Sequence, residues 1–339
     1  MASATATQRH AAGSVEVLKR LLSRPETLLV LLLAATCLIM GRLSPYFWAP
    51  ENLLDLPRLF VEAAIVTLAM TAVILTGGID LSVGSVLAFA AVMLGLSWQV
   101  WGLPFPVCIA LALLGGTAAG SVNGLIITRF GVPPLVTTLA TMLAFRGLAL
   151  GLCRAQTFGR FPPAFEALAG TYLPIGIRPG LPAQFVGFLV LLAVIALLLT
   201  RTRWGRYLCA LGHNEEAARY AAIHVERLKL ALYSLTGLAA AVAALVQVSR
   251  FTAAKADLGM GLELDVITAC VLGGVDINGG RGTVTGAFLG LLVIAVLRDG
   301  LRLAQVATEW QEVLVGLLLV VAVGLNQLAR RGSVAAGGE

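Results

Sequence analysis

The sequence predicts an all-α polytopic membrane protein with about ten transmembrane helices, and three observations lead there. Of the 339 residues 58% are apolar and 12% charged, with a mean hydropathy of +0.91, whereas a soluble domain carries about 25% charged and about 45–50% apolar residues. The apolar residues fall into stretches at roughly 26–43, 59–78, 83–101, 105–128, 134–153, 184–200, 229–249, 262–275, 283–297 and 310–328. Ten spans of about 20 residues each leave room for loops and tails but for no second soluble domain. The expected division is a cytoplasmic tail over 1–25, a membrane domain over 26–328 with an outer loop at 154–183 and an inner loop at 201–228, and a cytoplasmic tail over 329–339. Disordered, collagen-like and disulfide-rich classes are excluded by the same composition.

The first stretch follows Arg9, Lys19, Arg20 and Arg24 and imitates a signal peptide. Gly41-Arg42-Leu43-Ser44-Pro45 offers no small-x-small cleavage site, however, and more spans follow, so it is read as the first helix. With the amino terminus inside, the tails and inner loops hold 14 of the 24 Lys and Arg residues and the outer segments nine, which favours both termini in the cytoplasm. The net charge of +6 belongs to those loops; no basic run with interleaved aromatics points to nucleic acid. Cys37, Cys108, Cys153, Cys209 and Cys270 form no C-x-x-C and have no neighbouring His, so they read as small apolar residues and not as a metal site.

The second and eighth spans end on glycine, in Gly77-Gly78-Ile79-Asp80-Leu81-Ser82 and Gly273-Gly274-Val275-Asp276-Ile277-Asn278, which match at an offset of 196 residues. Diglycine followed by an acid frees backbone groups, and a bilayer tolerates that only inside protein or beside a wet cavity. Interrupted helices in corresponding places of two halves point to a transport pathway. An even number of spans separates them, so the repeat is parallel. The same residues also suit tight cytoplasmic turns whose acid caps the next helix. Asp80 and Asp276 are expected to hold the broken ends through backbone amides, Gly77-Gly78 and Gly273-Gly274 to act as pivots, and Ser82, Ser85 and Asn123 to offer neutral polar contacts to a solute.

Gly116, Gly120 and Gly124, like Gly282, Gly286 and Gly290, recur every four residues and predict smooth stripes against which a neighbouring backbone can pack. Arg146, inside the fifth span, needs an acidic or carbonyl partner, with Glu62 a possible mate. The outer loop carries Pro162, Pro163, Pro174, Pro179 and Pro182 with Phe158, Phe161, Phe165 and Tyr172, which suits either a docking surface or anchoring at the lipid interface. In the inner loop Asn214 can cap, Glu215 and Glu216 suit the positive end of a helix, and Ala217-Ala218-Arg219-Tyr220 propagates it. A helix of about two turns is marginal alone in water, so it is expected to dock on its own bundle or on a partner.

Three of these motifs, in this order, resemble the permease subunit of ribose-type ABC sugar importers, a family that moves ribose, xylose, galactose, rhamnose and the furanosyl signal autoinducer-2. They are Gly77 to Ser85, the loop from Gly205-Arg206 through Gly212-His213-Asn214 to Ala217-Ala218-Arg219 and Ile223, and Leu272-Gly273-Gly274 through Gly279-Gly280-Arg281-Gly282. The resemblance covers roughly residues 26–328. It implies a ten-helix type II importer permease in a bacterial inner membrane, paired with a second copy or a sister permease, with two ATP-binding subunits inside and a periplasmic sugar-binding protein outside. It also implies that 205–223 is the coupling helix seated on the ATPase, with Gly205, Arg206, Gly212, Asn214, Glu215, Ala217, Ala218, Arg219 and Ile223 in that element. Where the family usually has Ser-Gly or a similar small pair, this chain has Ala221-Ala222, which puts the exit of the coupling helix in question.

The residues agree that the chain does not hydrolyse ATP. It has no G-x-x-x-x-G-K-[ST] loop and only three lysines, Lys19, Lys229 and Lys255. ATP and Mg are expected on the partner subunit, with no cofactor on this chain. Motifs of nucleophilic or metal hydrolases are lacking as well, and no catalytic residue is expected. The alternative is a secondary transporter driven by an ion gradient, using Asp80, Glu62 and Asp276 as relay groups. It would call for an inverted repeat and mid-span acids.

Overall fold

Prolines set where several helices begin. The structure, a computed structural model, describes residues 25–174, 176 and 180–336. In it α1 (Pro25–Leu43), α2 (Pro50–Leu75), α3 (Val83–Gln99), α4 (Phe105–Arg129), α5 (Pro134–Cys153) and α6 (Pro163–Gly170) form the first half. All but α3 carry proline at their first or second position, where the fixed φ suits a helix and the missing N–H would have been unpaired. A two-residue ribbon, β1 (Tyr172–Leu173) against β2 (Leu181–Pro182), leads to α7 (Ala183–Arg201). Then follow α8 (Arg203–His213), α9 (Glu215–Tyr220), α10 (Val225–Phe251), α11 (Leu262–Leu272), α12 (Val284–Leu303) and α13 (Thr308–Ala336).

Each of the ten predicted stretches holds a helix, α1 to α5, α7 and α10 to α13. Among the described residues α1, α2, α4, α5, α7, α10 and α12 are long and apolar enough to cross a bilayer. The two helices next to the glycine breaks are short: α3 has 17 residues and α11 has 11, so α11 spans about 16 Å of a roughly 30 Å hydrocarbon core. Helix ends run past the apolar windows because amphipathic turns continue outside hydrocarbon. Thus α2 starts at Pro50 with Glu51, Asp55 and Arg58 in its first turns, and α13 continues through 329–336, residues expected in the tail. Residues 1–24 and 337–339 of the predicted tails, and Pro179, lie outside the described residues.

The window of α2 is 83% buried and that of α7 6%, so α2 is the axis and α7 the rim. Around α2 pack α7, α10, α11 and α12; α3 and α4 lean on α10 from the other side. The expected glycine stripes are packing seams. A Cβ on Gly116 would lie 2.6 Å from the Ala241 Cβ and 2.7 Å from the Gly237 carbonyl, and one on Gly124 2.9 Å from the Leu230 Cα, so α4 and α10 meet backbone to backbone. Gly286 and Gly290 of α12 bear in the same way on Gly273 and Ala269, in and after α11.

The outer loop corrects an expectation. Phe158, Phe161 and Phe165 are buried, and Phe165 sits 4.9 Å from the Phe105 ring and 5.6 Å from that of Phe161. Phe158 and Ala254 exchange backbone hydrogen bonds of 3.0 and 2.8 Å. The aromatics plug the end of the bundle instead of presenting a surface for docking or lipid. Phenyl rings without a polar handle gain most from removal from water, and the loop is long enough to fold them inward. Only Tyr172 keeps a polar role, its hydroxyl donating to Asp55 Oδ1 at 2.5 Å.

Candidate functional site

Both broken helices terminate on a left-handed glycine. Gly77, at φ +76°, donates to Ile74 O (2.9 Å) and Gly78 to Val73 O (3.2 Å); Gly274, at φ +79°, donates to Val271 O (2.9 Å) and Val275 to Cys270 O (2.9 Å). This paired closure of the last turn is the one glycine favours, since other L-residues at such φ cost about 1–2 kcal/mol. The cap glycine is the first of its pair in one break and the second in the other, so the two turns are one residue out of register with the 196-residue match. Gly78 and Gly273 are needed for space instead. A Cβ on Gly78 would lie 2.6 Å from the Tyr233 hydroxyl, and one on Gly273 2.5 Å from the Ala287 Cα.

The acids bind backbone amides as the sequence suggests. Asp80 Oδ1 accepts from Ser82 N (3.0 Å) and from Ser82 Oγ (2.6 Å), and Asp276 Oδ1 accepts from Asn278 N (3.0 Å). Their surroundings differ. Asp80 is 1% exposed, its Oδ2 accepts from Thr236 Oγ1 of α10 at 2.7 Å, and Asn123 of α4 donates to Ser82 Oγ at 2.8 Å. Ser85 Oγ donates to Ser82 O at 2.7 Å. Ser82, Ser85 and Asn123 are therefore turned toward one another and fully buried; in this conformation they hold the first break to α4 and α10 and do not face an open path. Asp276 is only half-buried.

The two breaks touch. Gly280 N donates to Leu75 O, the last carbonyl of α2, at 2.8 Å, and a Cβ on Gly279 would lie 2.6 Å from Gly77 N and 3.0 Å from the Gly212 Cα. The end of α8 is wedged into the same place: a Cβ on Gly212 would fall on Leu75 O and Gly280 N, and the His213 ring covers Gly280, whose own Cβ would lie 2.5 Å from Nδ1. Three glycine motifs that read as separate along the chain are one junction. The signal available was a glycine in every partner, but no window along a sequence reveals which glycines meet.

Beyond the junction the loop is two helices, where the sequence suggested one. α8 is capped by Thr202, whose Oγ1 accepts from Trp204 N at 3.2 Å; α9 is capped as expected by Asn214, whose Oδ1 accepts from Ala217 N at 3.0 Å. Glu215 binds Arg219 (2.9 Å) and Lys229 of α10 (2.6 Å), and Arg219 also pairs with Glu226. Burial alone would lift the Glu215 carboxyl, but hydrogen bonds from Lys229 and Arg219 outweigh it and hold it below its usual range. The attachment is therefore complete at neutral pH and is lost only as pH falls below the ordinary value of about 4.3 and through the depressed one.

The exit of α9 keeps its shape without glycine. Ala222 takes φ +58°, and Ala222 N and Ile223 N donate to Arg219 O (3.0 Å) and Ala218 O (3.1 Å). Replacing Ala222 by glycine removes the side-chain strain and is expected to raise stability by about 1 kcal/mol, read as a higher melting temperature in detergent; a lower one would mean that the strain is absent. Of the coupling candidates, Arg206, Asn214, Ala217 and Arg219 are exposed, while Gly205 and Ala218 are buried in the chain itself and Glu215, Gly212 and Ile223 are partly covered. Ala218 and Gly205 therefore face their own bundle, because small residues let α9 and α8 lie close on it. Tyr220, not among those candidates, is 91% exposed at the end of α9.

Glu62 and Arg146 are not partners. Glu62 pairs with Arg250 of α10 at 3.0 Å, and Arg146 donates to the carbonyls of Ala256 (2.6 Å) and Leu258 (3.0 Å). Each finds a nearer group at its own depth. As for relay chemistry, Glu62 is bound to a guanidinium and Asp80 is enclosed by three donors.

Residues 52–323 match the family described as branched-chain amino acid transport system / permease component. The autoinducer 2 import system permease protein LsrD of Enterobacter sp. strain 638 is 40% identical over 304 residues, 88% of this chain and 91% of that one. Its counterparts of the same name in Klebsiella pneumoniae subsp. pneumoniae and Photorhabdus laumondii subsp. laumondii are 40% and 39% identical over the same length, each covering 88% of this chain and 90% of the other. No solved structure matches the chain.

Proposed function

Because the chain belongs to this family of permease components, a transmembrane subunit of an ABC importer that moves a monosaccharide or sugar-like signal, we propose that its solute is a small furanose of the autoinducer-2 type, as the names of its relatives suggest. It is a multi-pass membrane protein and no enzyme; ATP hydrolysis lies in a separate subunit. In the proposed assembly it stands beside a second copy or a sister permease in a bacterial inner membrane, both termini and the α8–α9 end toward the cytoplasm, with a sugar-binding protein at the far end. The observation that carries the mechanism is the shared contact of Leu75, Gly280 and Gly212. A push on α9 by the ATP-binding subunit passes through α8 to both broken helices at once, which pivot at Gly77-Gly78 and Gly273-Gly274. Gly205, Arg206, Gly212, Asn214, Glu215, Ala217, Ala218, Arg219 and Ile223 build the coupling element, and Asp80, Asp276, Ser82, Ser85 and Asn123 hold the hinges.

Reconstitution tests this reading. The tagged permease in mild detergent should recover an ATP-binding subunit, and in liposomes its ATP hydrolysis should rise with a furanose-loaded binding protein. Tyr220→Ala should lower recovery of the ATP-binding subunit at least fivefold with the melting temperature within about 2 °C, since an exposed surface side chain contributes little to folding. Recovery of the chain alone, with uptake following an ion gradient, would overturn the ATP-coupled mechanism.

A further inference from the structure

A groove runs along the outside of the bundle between α7 and α10. α7 packs on α2, α8 and α12 and stands off from α10, and the gap is a row of three cavities that share walls. The first, about 130 Å³, lies between Leu191 and Val242. Leu68, Ile195 and Leu235 join it to the second, about 280 Å³ and lined by apolar side chains as well. Trp204, Leu228 and Ala231 join that one to the third, about 320 Å³, where Tyr207, His224 and Arg227 form the end beside α8. Leu191, Leu198 and Leu235 on the rim are more than a third exposed, so the groove is open to the bilayer. From Arg227 to Val242 is about 22 Å along α10, the depth of one leaflet with its headgroup layer.

Charge at the α8 end is unbalanced. Arg227 makes no ion pair or hydrogen bond among the described residues, because the nearby acids are taken: Glu226 by Arg219, and Glu215 by Arg219 and Lys229. Glu216 is exposed on α9 and does not line the cavity. Arg201, Arg203 and Arg206 add exposed positive charge, and no acid stands between Glu166 and Glu215. Trp204, 60% exposed, lines both the apolar and the polar cavity, and such a ring sits at headgroup level. The groove therefore asks for a ligand with about a leaflet's length of hydrocarbon and one negative charge at its end. A phosphodiester supplies that charge and accepts from the five donors of a guanidinium. A headgroup bearing an amine would set a further cation among the arginines, so the match is to an anionic lipid.

We propose that the groove holds one anionic diacyl phospholipid from the leaflet on the α8 side, its chains along α10 and its phosphate at Arg227 and His224. Seated there, the lipid ties α8 to α10 beside Ala221-Ala222, the exit of α9. The site does not depend on which solute the chain moves. Native mass spectrometry tests it on the full chain, purified in mild detergent and offered dioleoyl phosphatidylglycerol and dioleoyl phosphatidylcholine in equal amounts. The first lipid retained should be phosphatidylglycerol with at least a fivefold preference. Arg227→Gln should abolish the preference while the lipid-free chain melts within about 2 °C of the parent, as expected for an exposed side chain. Arg129→Gln removes the same charge from the exposed end of α4 and should leave the preference unchanged. Ala231→Trp fills the groove where two cavities meet and should lower retention of both lipids at least fivefold. Equal retention of the two lipids by the parent, an equal loss in Arg129→Gln, full retention by Ala231→Trp, or displacement of the lipid by millimolar inorganic phosphate would each overturn the site. So would a dimer whose mass halves in Arg227→Gln while the lipid stays, an outcome that assigns the groove to a second copy.

Discussion

Gly212→Ala is expected to lower ATP-driven uptake at least tenfold, while Gly147→Ala leaves it at the parent rate. The contrast follows from what one methyl group meets. On Gly147 it meets nothing within 4 Å, and on an exposed helix alanine even helps by up to about 1 kcal/mol. On Gly212 it falls on Leu75 O and Gly280 N, backbone atoms that cannot rotate away. The junction must open, which breaks the 2.8 Å bond from Gly280 to Leu75; overpacking of this kind costs about 1–3 kcal/mol and an orphaned buried donor about 1–3 kcal/mol more. Uptake assays with melting temperatures of both variants check it, and parent-like values for Gly212→Ala would remove the junction from the mechanism.

Asp80→Ala is expected to destabilise the chain by about 3 kcal/mol or more and to abolish uptake, with Asp80→Asn intermediate and Asp276→Ala within about 1 kcal/mol of the parent. Asp80 is enclosed, and its loss strands two donors, Ser82 N and Ser82 Oγ, each worth about 1–3 kcal/mol when left unsatisfied, while the Thr236 hydroxyl falls back on Tyr233 O at 2.8 Å. Asparagine keeps one acceptor. Asp276 makes the same turn with water at hand, so its donors can be resolvated. Denaturation in detergent, followed by intrinsic fluorescence, ranks the three; equal losses at both acids would mean that burial of the first break does not matter.

What was legible in the sequence was whatever depends on residues close along the chain. Diglycine before an acid is enough to end a helix and start an Asx turn, so both breaks and the Asn214 cap were readable, and so were the ten apolar stretches, but not which glycine of each pair would cap. Glycines spaced by four promised a close neighbour, though not that it would be α10. What could not be read was pairing at long range. Glu62 and Arg146 looked like mates because each was a lone charge in a span, yet the depth and facing of a side chain depend on helix packing, and Arg250 stood nearer. Phe158, Phe161 and Phe165 looked like a surface because they lie in a loop; their burial follows from a cavity that only the assembled bundle creates. Tyr220 carried no signal beyond its position, since one aromatic in a short helix suits core and surface alike.

The glycine seam between α4 and α10 has a mechanical meaning. Where Gly116, Gly120 and Gly237 bring the two backbones together few rotamers are left to yield, and Ser121 and Ser234 bridge the seam at 2.8 Å, so displacement passes with little loss and α4 and α10 act as one stiff beam. Glu215 grips that beam at Lys229, and Arg250 stands 21 residues further on, about 30 Å along a helix. A tilt of a few degrees at the gripped end thus becomes a sideways shift of an ångström or more at the other, enough to lengthen the Arg250–Glu62 contact. In this chain the lever arm owes its stiffness to glycine.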